Sequence, residues 1–253
     1  MASSSGQHPF LDHDGPIAFA HRGGSLEVEE NTMAAFAHAV TLGYSHIETD
    51  VQATCDGVAV VFHDDTLTRM TGEPERVADL TWAELKKRRT KGGEAIPLLE
   101  DLLAAWPDLK VNLEAKADAA VEPMAQAIRR ADALNRVCVG SFDARLTDRL
   151  RSLLGPGLCW SPAHRGVLGL WLRGWSLPGR QPDFPVVQVP TTFRGIPLVT
   201  LRFVRAAHGH GVHVHVWTVD EEAEMERLLD MGVDGLMTDR PSLLKQVMAR
   251  RAG

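Results

Sequence analysis

Short apolar runs alternate with stretches of helical composition along almost the whole chain. The apolar runs fall at Ile17–Ala20, Ser45–Gln52, Leu109–Leu113, Arg136–Gly140, Leu158–Ser161, Val186–Val189, Val212–Val219 and Val233–Met237. Helical stretches follow at 33–43, 98–106, 119–134, 144–154, 198–209, 221–231 and 241–250. A strand followed by a helix, about eight times over roughly 235 residues, is the arithmetic of an α/β fold built as a single (β/α)8 TIM barrel. A doubly wound open sheet is the competing arrangement. The repeat is interrupted once. Val58–His63 returns after the turn dipeptide Asp56-Gly57, which predicts a β-hairpin extension after the second strand. No linker divides the chain, so residues 15–253 read as one domain behind a flexible lead-in over 1–14.

Composition narrows the function. Of 253 residues, 44% are apolar and 24% charged, which excludes a disordered, collagenous or coiled-coil chain. The net charge of -6 does not suit a protein that coats nucleic acid. Three cysteines, an odd number and widely scattered, argue against a disulfide framework and for a reducing, cytoplasmic setting. The N-terminus lacks the basic and apolar regions of a secretory signal. The apolar stretch Gly166–Leu172 is too short for stable membrane insertion.

In a TIM barrel the chemistry sits at the C-terminal ends of the strands, and the unusual polar residues collect there. His21 and Arg22 follow the first strand. Glu48 and Asp50 lie two apart on the second, so both point to one face while Ile47, Thr49 and Val51 point to the other. Glu114 and Lys116 repeat that spacing on the third. His63 closes the hairpin beside Asp64, Trp217 ends the seventh strand, and Asp239 follows the eighth. Three carboxylates at one mouth repel unless a cation or protons neutralise them. An all-oxygen set suits Mg²⁺ or Ca²⁺ rather than zinc. The plainer alternative is three solvated loop carboxylates. His21 and His63 have the chemistry of an acid–base pair, although either alone could be a surface or core residue. Arg22 and Lys116 point to an anionic substrate, or else simply pair with the carboxylates.

His21-Arg22-Gly23, Glu30-Asn31-Thr32, Glu48-Thr49-Asp50-Val51, His63-Asp64, Glu114-Ala115-Lys116, Trp217-Thr218-Val219 and Thr238-Asp239-Arg240-Pro241 together resemble the glycerophosphodiester phosphodiesterases. Each motif is weak alone; the ordered set, spanning about residues 17–248, is specific. The resemblance implies a TIM barrel and one divalent cation, Mg²⁺ or Ca²⁺. It implies hydrolysis of a small-molecule glycerophosphodiester to sn-glycerol 3-phosphate and an alcohol. Glu48, Asp50 and Glu114 match the metal ligands, His21 and His63 the catalytic pair, and Arg22 and Lys116 the phosphate contacts. Asn31 or Thr32 and Trp217 match positions lining the pocket. One departure is Asp220, where family members often carry Asn. A lysophospholipase D-type enzyme acting on acyl-bearing substrates is the nearest rival. A non-catalytic phosphodiester-binding barrel is the rival of a different class.

Three further features need placing. His213 and His215 form an HxH pair, read as packed barrel residues for want of further ligands. Gly23-Gly24 reads as a turn that lets the backbone approach substrate. Residues 162–184 show no clear period but hold Val167, Leu168, Leu170, Trp171, Leu172, Trp175 and Leu177. They form either a lid or helix packed on the barrel, or stay partly exposed as a wall for the leaving group or as a patch, over 166–177, that meets lipid or a second subunit.

Overall fold

The first and last strands of the chain pair with each other. The structure, a computed structural model, describes residues 8–178 and 181–252. Among these, eight parallel strands stand in a ring: β1 (Ile17–His21), β2 (His46–Ala53), β3 (Lys110–Ala115), β4 (Val137–Gly140), β5 (Cys159–Trp160), β6 (Val186–Pro190), β7 (His213–Trp217) and β8 (Gly235–Thr238). Their order is β5-β4-β3-β2-β1-β8-β7-β6. That order is the chain order closed on itself, which an open doubly wound sheet cannot give. The ladder is interrupted only between β5 and β6. There the Ser161 hydroxyl accepts from the Gln188 amide at 3.0 Å, so a side chain spans the seam.

Helices α1 (Met33–Thr41), α2 (Leu99–Ala105), α3 (Asp118–Arg130), α4 (Ala144–Leu154), α5 (His164–Gly174), α6 (Leu201–His208), α7 (Glu222–Asp230) and α8 (Pro241–Ala252) cover the outside. Local chemistry sets their ends. The Thr32 hydroxyl accepts from the Ala35 amide at 3.1 Å and starts α1. Asp143 and Thr200 cap α4 and α6 in the same way. The predicted hairpin is present: strand Ala59–Val61 pairs antiparallel with β2. The insert that follows carries two short helices, Thr68–Thr71 and Trp82–Leu85, over a small core of its own that includes Phe62, Leu67, Val77 and Leu85.

The stretch at 162–184 is where periodicity failed. It holds the barrel helix α5, and its residues 179–180 lie outside the described residues. Glycines hid it. A Cβ on Gly174 would stand 3.2 Å from the carbonyl oxygen of Arg202, so a glycine there permits a close crossing of α5 over α6. Leu170 is buried against Phe184, Val187 and Phe203, while Trp171 is half-buried beside Trp175.

β2 is buried along its whole length. Ile47 and Val51 face outward into a core with Leu102, Leu113 and Ala125, while His46, Glu48 and Asp50 face the barrel interior. The barrel floor is apolar: Phe10, Leu11, Ile17, Phe19, Cys138, Cys159, Val186 and Met237 pack together. Residues 1–7 of the expected lead-in lie outside the described residues. From residue 8 the chain runs beneath the barrel, and the 3-10 turn Pro9–Leu11 buries both Phe10 and Leu11 there. His46 hydrogen bonds the Phe10 carbonyl at 2.9 Å and ties that turn to β2. His215 is fully buried against Phe19, with ring centroids 4.9 Å apart. The HxH pair is thus a packing feature of the floor. It adds no ligand to the one group of metal-ligating type among the described residues, Glu48, Asp50 and Glu114.

Candidate active site

Parallel register assembles the site from residues far apart in sequence. β1 and β2 align His21 with Glu48, and β2 and β3 align Asp50 with Glu114. With side chains two apart sharing a face, Glu48, Asp50 and Glu114 converge at the C-terminal mouth. Each offers an oxygen within 4.8 Å of the others. Asp50 is 1% exposed, and its buried Oδ1 accepts no hydrogen bond. That oxygen faces the Lys116 ammonium at 3.4 Å, and a buried all-carboxylate cluster of this kind fits a hard cation. Burial raises the Glu48 carboxyl to about 8; Asp50 and Glu114 push the same way, and His21 and Arg22 oppose them. Burial likewise raises Glu114, against the pull of Lys116 and with the push of Asp50. Carboxylates that resist ionisation together are what a divalent cation would relieve.

Two cations flank the cluster. Lys116 Nζ stands 3.2 Å from Glu114 and 3.4 Å from Asp50. Arg22 Nε stands 3.2 Å from Asp50, and its Nη1 donates to Glu30 at 3.1 Å. Arg22 adopts a left-handed φ of 52° at the start of a tight loop. The adjoining Gly23 and Gly24 also have positive φ. A Cβ on Gly23 would meet that of Ala35 at 2.6 Å, and one on Gly24 would meet Pro241 at the same distance. These glycines therefore let the loop pack under α1 and α8.

Each candidate catalytic histidine is held by an aspartate. His21 Nδ1 lies 2.6 Å from Asp239 Oδ1, and His63 Nδ1 lies 2.6 Å from Asp64 Oδ1. An ionised carboxylate only accepts, so each Nδ1 carries a proton and each Nε2 is left for acid–base work. His21 Nε2 points at Glu48 Oε2 at 3.6 Å. Burial opposes charge on His21, but Glu48 and Asp239 outweigh it and raise the imidazole to about 9. Gln52, on the inward face of β2, donates to the Asp64 carbonyl and to Asp65 Oδ1, both at 3.2 Å, and steadies the loop after His63.

Asn31, expected to line the substrate pocket, is 4% exposed with both ends of its amide engaged. It donates to Asp50 Oδ2 at 3.0 Å and accepts from Thr49 Oγ1 at 2.7 Å, so it orients Asp50. Thr32 is the α1 cap. Trp217 stands at the mouth, edge-on to Phe142 with ring centroids 5.6 Å apart. Phe142 also borders a cavity of about 520 Å³ that begins at Glu114 and Lys116 and is walled by Leu146, Arg145 and Arg149. Asp220 answers the doubt its identity raised. Its Oδ1 accepts from Thr238 Oγ1 at 3.0 Å and from the Asp239 amide at 2.8 Å, work an asparagine oxygen does equally well. Sequence reasoning gave no role to Asp239, Asp64, Glu30 or Arg69. The first three lie in the motifs quoted above, but nothing in a sequence says which histidine or arginine an acid will meet.

A nearly closed barrel with three carboxylates that could hold a metal, two aspartate-held histidines and flanking cations at its C-terminal mouth has the make-up of a TIM-barrel phosphodiester hydrolase. Residues 21–243 match the model of the glycerophosphoryl diester phosphodiesterase family, and the chain belongs to that family. It is an enzyme of phosphodiesterase type. It is 44% identical over 249 residues to "Probable glycerophosphodiester phosphodiesterase 2" of Mycobacterium tuberculosis, covering 96% of this chain and 94% of that one. It is 34% identical to a glycerophosphodiester phosphodiesterase of Caldanaerobacter subterraneus, covering 90% and 96%. An Oleispira antarctica phosphodiesterase, solved with sn-glycerol-3-phosphate, shares the fold with a TM-score of 0.78 at 23% identity, over 93% of this chain and 97% of that one.

Proposed function

We propose that the chain hydrolyses glycerophosphodiesters to sn-glycerol 3-phosphate and an alcohol, with a divalent cation, Mg²⁺ or Ca²⁺, held by Glu48, Asp50 and Glu114. The observation that carries this reading is the convergence of those three carboxylates beside two histidines whose Nδ1 atoms are tied to aspartates. When bound, the cation supplies Lewis-acid stabilisation of the charge that builds on the phosphate oxygens. Arg22 and Lys116 hold the phosphate by charge-assisted hydrogen bonds. One histidine Nε2 takes the proton of the attacking hydroxyl, and the other gives a proton to the departing alkoxide. The attacking hydroxyl is the substrate's own glycerol 2-hydroxyl, giving a cyclic phosphate that water then opens. Each imidazole returns to its starting state after the second step. The reaction runs in the cytoplasm on a small molecule, without nucleic acid. No helix among the described residues is long and apolar enough to cross a membrane.

The test is a product assay on glycerophosphocholine, glycerophosphoethanolamine and a lysophospholipid, with and without chelator. The expected result is sn-glycerol 3-phosphate from the first two, abolished by chelator and restored by Mg²⁺ or Ca²⁺. Turnover confined to the lysophospholipid would transfer the reading to the lysophospholipase D type. No turnover of any of the three would refute it.

A further inference from the structure

Arg69 lies on the short helix Thr68–Thr71 of the insert, outside the ring of strands that builds the site. Its guanidinium nevertheless carries two carboxylates at once. Nε and Nη2 donate to Asp64 at 2.7 and 3.0 Å, and Nη1 and Nη2 donate to Glu30 at 2.8 and 2.7 Å. These are two paired-donor contacts on two edges of one planar group, a geometry open to arginine and closed to lysine. Each carboxylate has a second partner. Asp64 holds His63 Nδ1 at 2.6 Å, and Glu30 holds Arg22 Nη1 at 3.1 Å.

We infer that Arg69 is a positioning residue that locks the acid–base side of the site to its phosphate side, fixing His63 through Asp64 and Arg22 through Glu30. The inference rests on the functional reading above for the roles of His63 and Arg22. Its energetic logic is positional. Arg69 is 45% exposed, and ion pairs of an exposed side chain contribute little to stability. Yet partners behind a reacting group commonly matter about 10–100-fold in activity. A residue that costs turnover far more than it costs stability is therefore expected here.

The insert has a second tie to the same loop, which supplies the control. Glu29 accepts from Thr90 Oγ1 at 2.5 Å and from the Gly92 amide at 3.0 Å, away from Asp64 and Glu30. Arg69→Gln should lower kcat about 10–100-fold and weaken binding of sn-glycerol 3-phosphate measured by calorimetry. Its melting temperature should stay near wild type. Asp64→Asn should reproduce mainly the kcat loss, and Glu30→Gln mainly the binding loss. Each should add little on top of Arg69→Gln, because the residues act as one unit. Arg69→Lys should not rescue, whereas free guanidinium should restore part of the turnover of Arg69→Ala. Glu29→Gln should lower the melting temperature and leave kcat and product binding intact. Arg69→Gln with wild-type kcat and product binding would overturn the inference. So would equal kinetic losses in Glu29→Gln, which would make docking of the insert the whole effect. A wild type that binds sn-glycerol 3-phosphate but turns over no glycerophosphodiester would instead fell the functional reading.

Discussion

Nδ1 of His21 and Oδ1 of Asp239 lie 2.6 Å apart across 218 residues of chain. The contact exists because β1 and β8 are neighbours in a closed barrel, with Ala20 in register with Thr238. Ring closure therefore does chemical work here. It brings the acid that follows the last strand to the histidine that ends the first, and so leaves His21 Nε2 facing Glu48.

Asp239→Asn tests that relationship. The amide offers both a donor and an acceptor, so it no longer dictates which ring nitrogen carries the proton. Turnover should fall about 10–100-fold with the fold retained. Asp220→Asn is the matched control. Both groups that meet Asp220 Oδ1 are donors, so this variant should keep near-wild-type rates. Steady-state kinetics on the two proteins decides it, and a silent Asp239→Asn would remove the aspartate from the orientation of His21.

The metal prediction follows from the charge at the mouth. Divalent cation should raise the melting temperature, because it binds the folded chain and relieves Glu48, Asp50 and Glu114. Glu48→Gln, Asp50→Asn and Glu114→Gln should each blunt that rise and abolish turnover. Differential scanning fluorimetry across a Mg²⁺ and Ca²⁺ titration reads the first effect independently of the second. Full activity after dialysis against excess chelator would dismiss the cation from the mechanism.

How much of this was legible in the sequence depends on the distance over which each feature is set. Glu48 and Asp50 could be read as one face because a strand has period two, a local rule. The hairpin was legible from Asp56-Gly57 for the same reason. The partner of His21 was not, although Asp239 stood in view, whereas His63 meets its own neighbour, Asp64, a pairing that only side-chain geometry reveals. A contact such as His21–Asp239 exists only once the ring has closed. Asn31 was placed at the pocket only through the family resemblance, and no local rule showed what its amide meets. Its φ is a left-handed 56°, and its amide meets Asp50 and Thr49. Periodicity did not show helix α5, although a helix packed on the barrel was one of two readings of that stretch, because Gly166, Gly169 and Gly174 lower helix propensity. The packing of Leu170 in the core with Phe203 overrides it. Phe10 and Leu11 escaped because two apolar residues in a polar tail carry no period.

The floor of the barrel predicts a pH dependence of stability. Burial, with Lys110 and His13 adding to it against the hydrogen bond to the Phe10 carbonyl, lowers His46 from 6.5 to about 3. The sign follows from proton counting. Between those values the unfolded chain binds the proton and the folded chain does not. Acidification therefore favours unfolding, by about 1.4 kcal/mol per pH unit within that window. The contribution is complete above pH 6.5 and is lost as pH falls towards 3. Glu48 and Glu114, raised by burial, act in the opposite sense, so the diagnostic quantity is a difference between proteins. His46→Gln should show a shallower decline in denaturation midpoint than wild type between about pH 6 and pH 4. Parallel curves would show that His46 does not set the slope.

The last prediction concerns the aromatic side of the mouth. From Trp217 a chain of ring contacts runs through Phe142, at 5.6 Å, and His164, at 6.1 Å, to Phe193, a further 5.6 Å on. Phe142 is 55% exposed and Ile196, on the hairpin with Phe193, is 59% exposed. These residues stand after β4, β5 and β6, and β4 pairs with β3, which carries Glu114. Trp175, in the stretch read either as a packed helix or as an exposed apolar wall, is 49% exposed, with the Arg202 guanidinium 4.5 Å from its ring centroid. A leaving group with an acyl chain would shield the Phe142 and Phe193 rings from water. Partial cover of one ring is worth roughly 1 kcal/mol, or about five-fold in relative kcat/KM. Phe142→Ala and Phe193→Ala should therefore lower turnover of a lysophospholipid, relative to glycerophosphoethanolamine, by about that factor each. Trp175→Ala should lower both rates together, along with the melting temperature. Equal losses on the two substrates in Phe142→Ala and Phe193→Ala would mean that the aromatic arc braces Trp217 and plays no part in substrate choice.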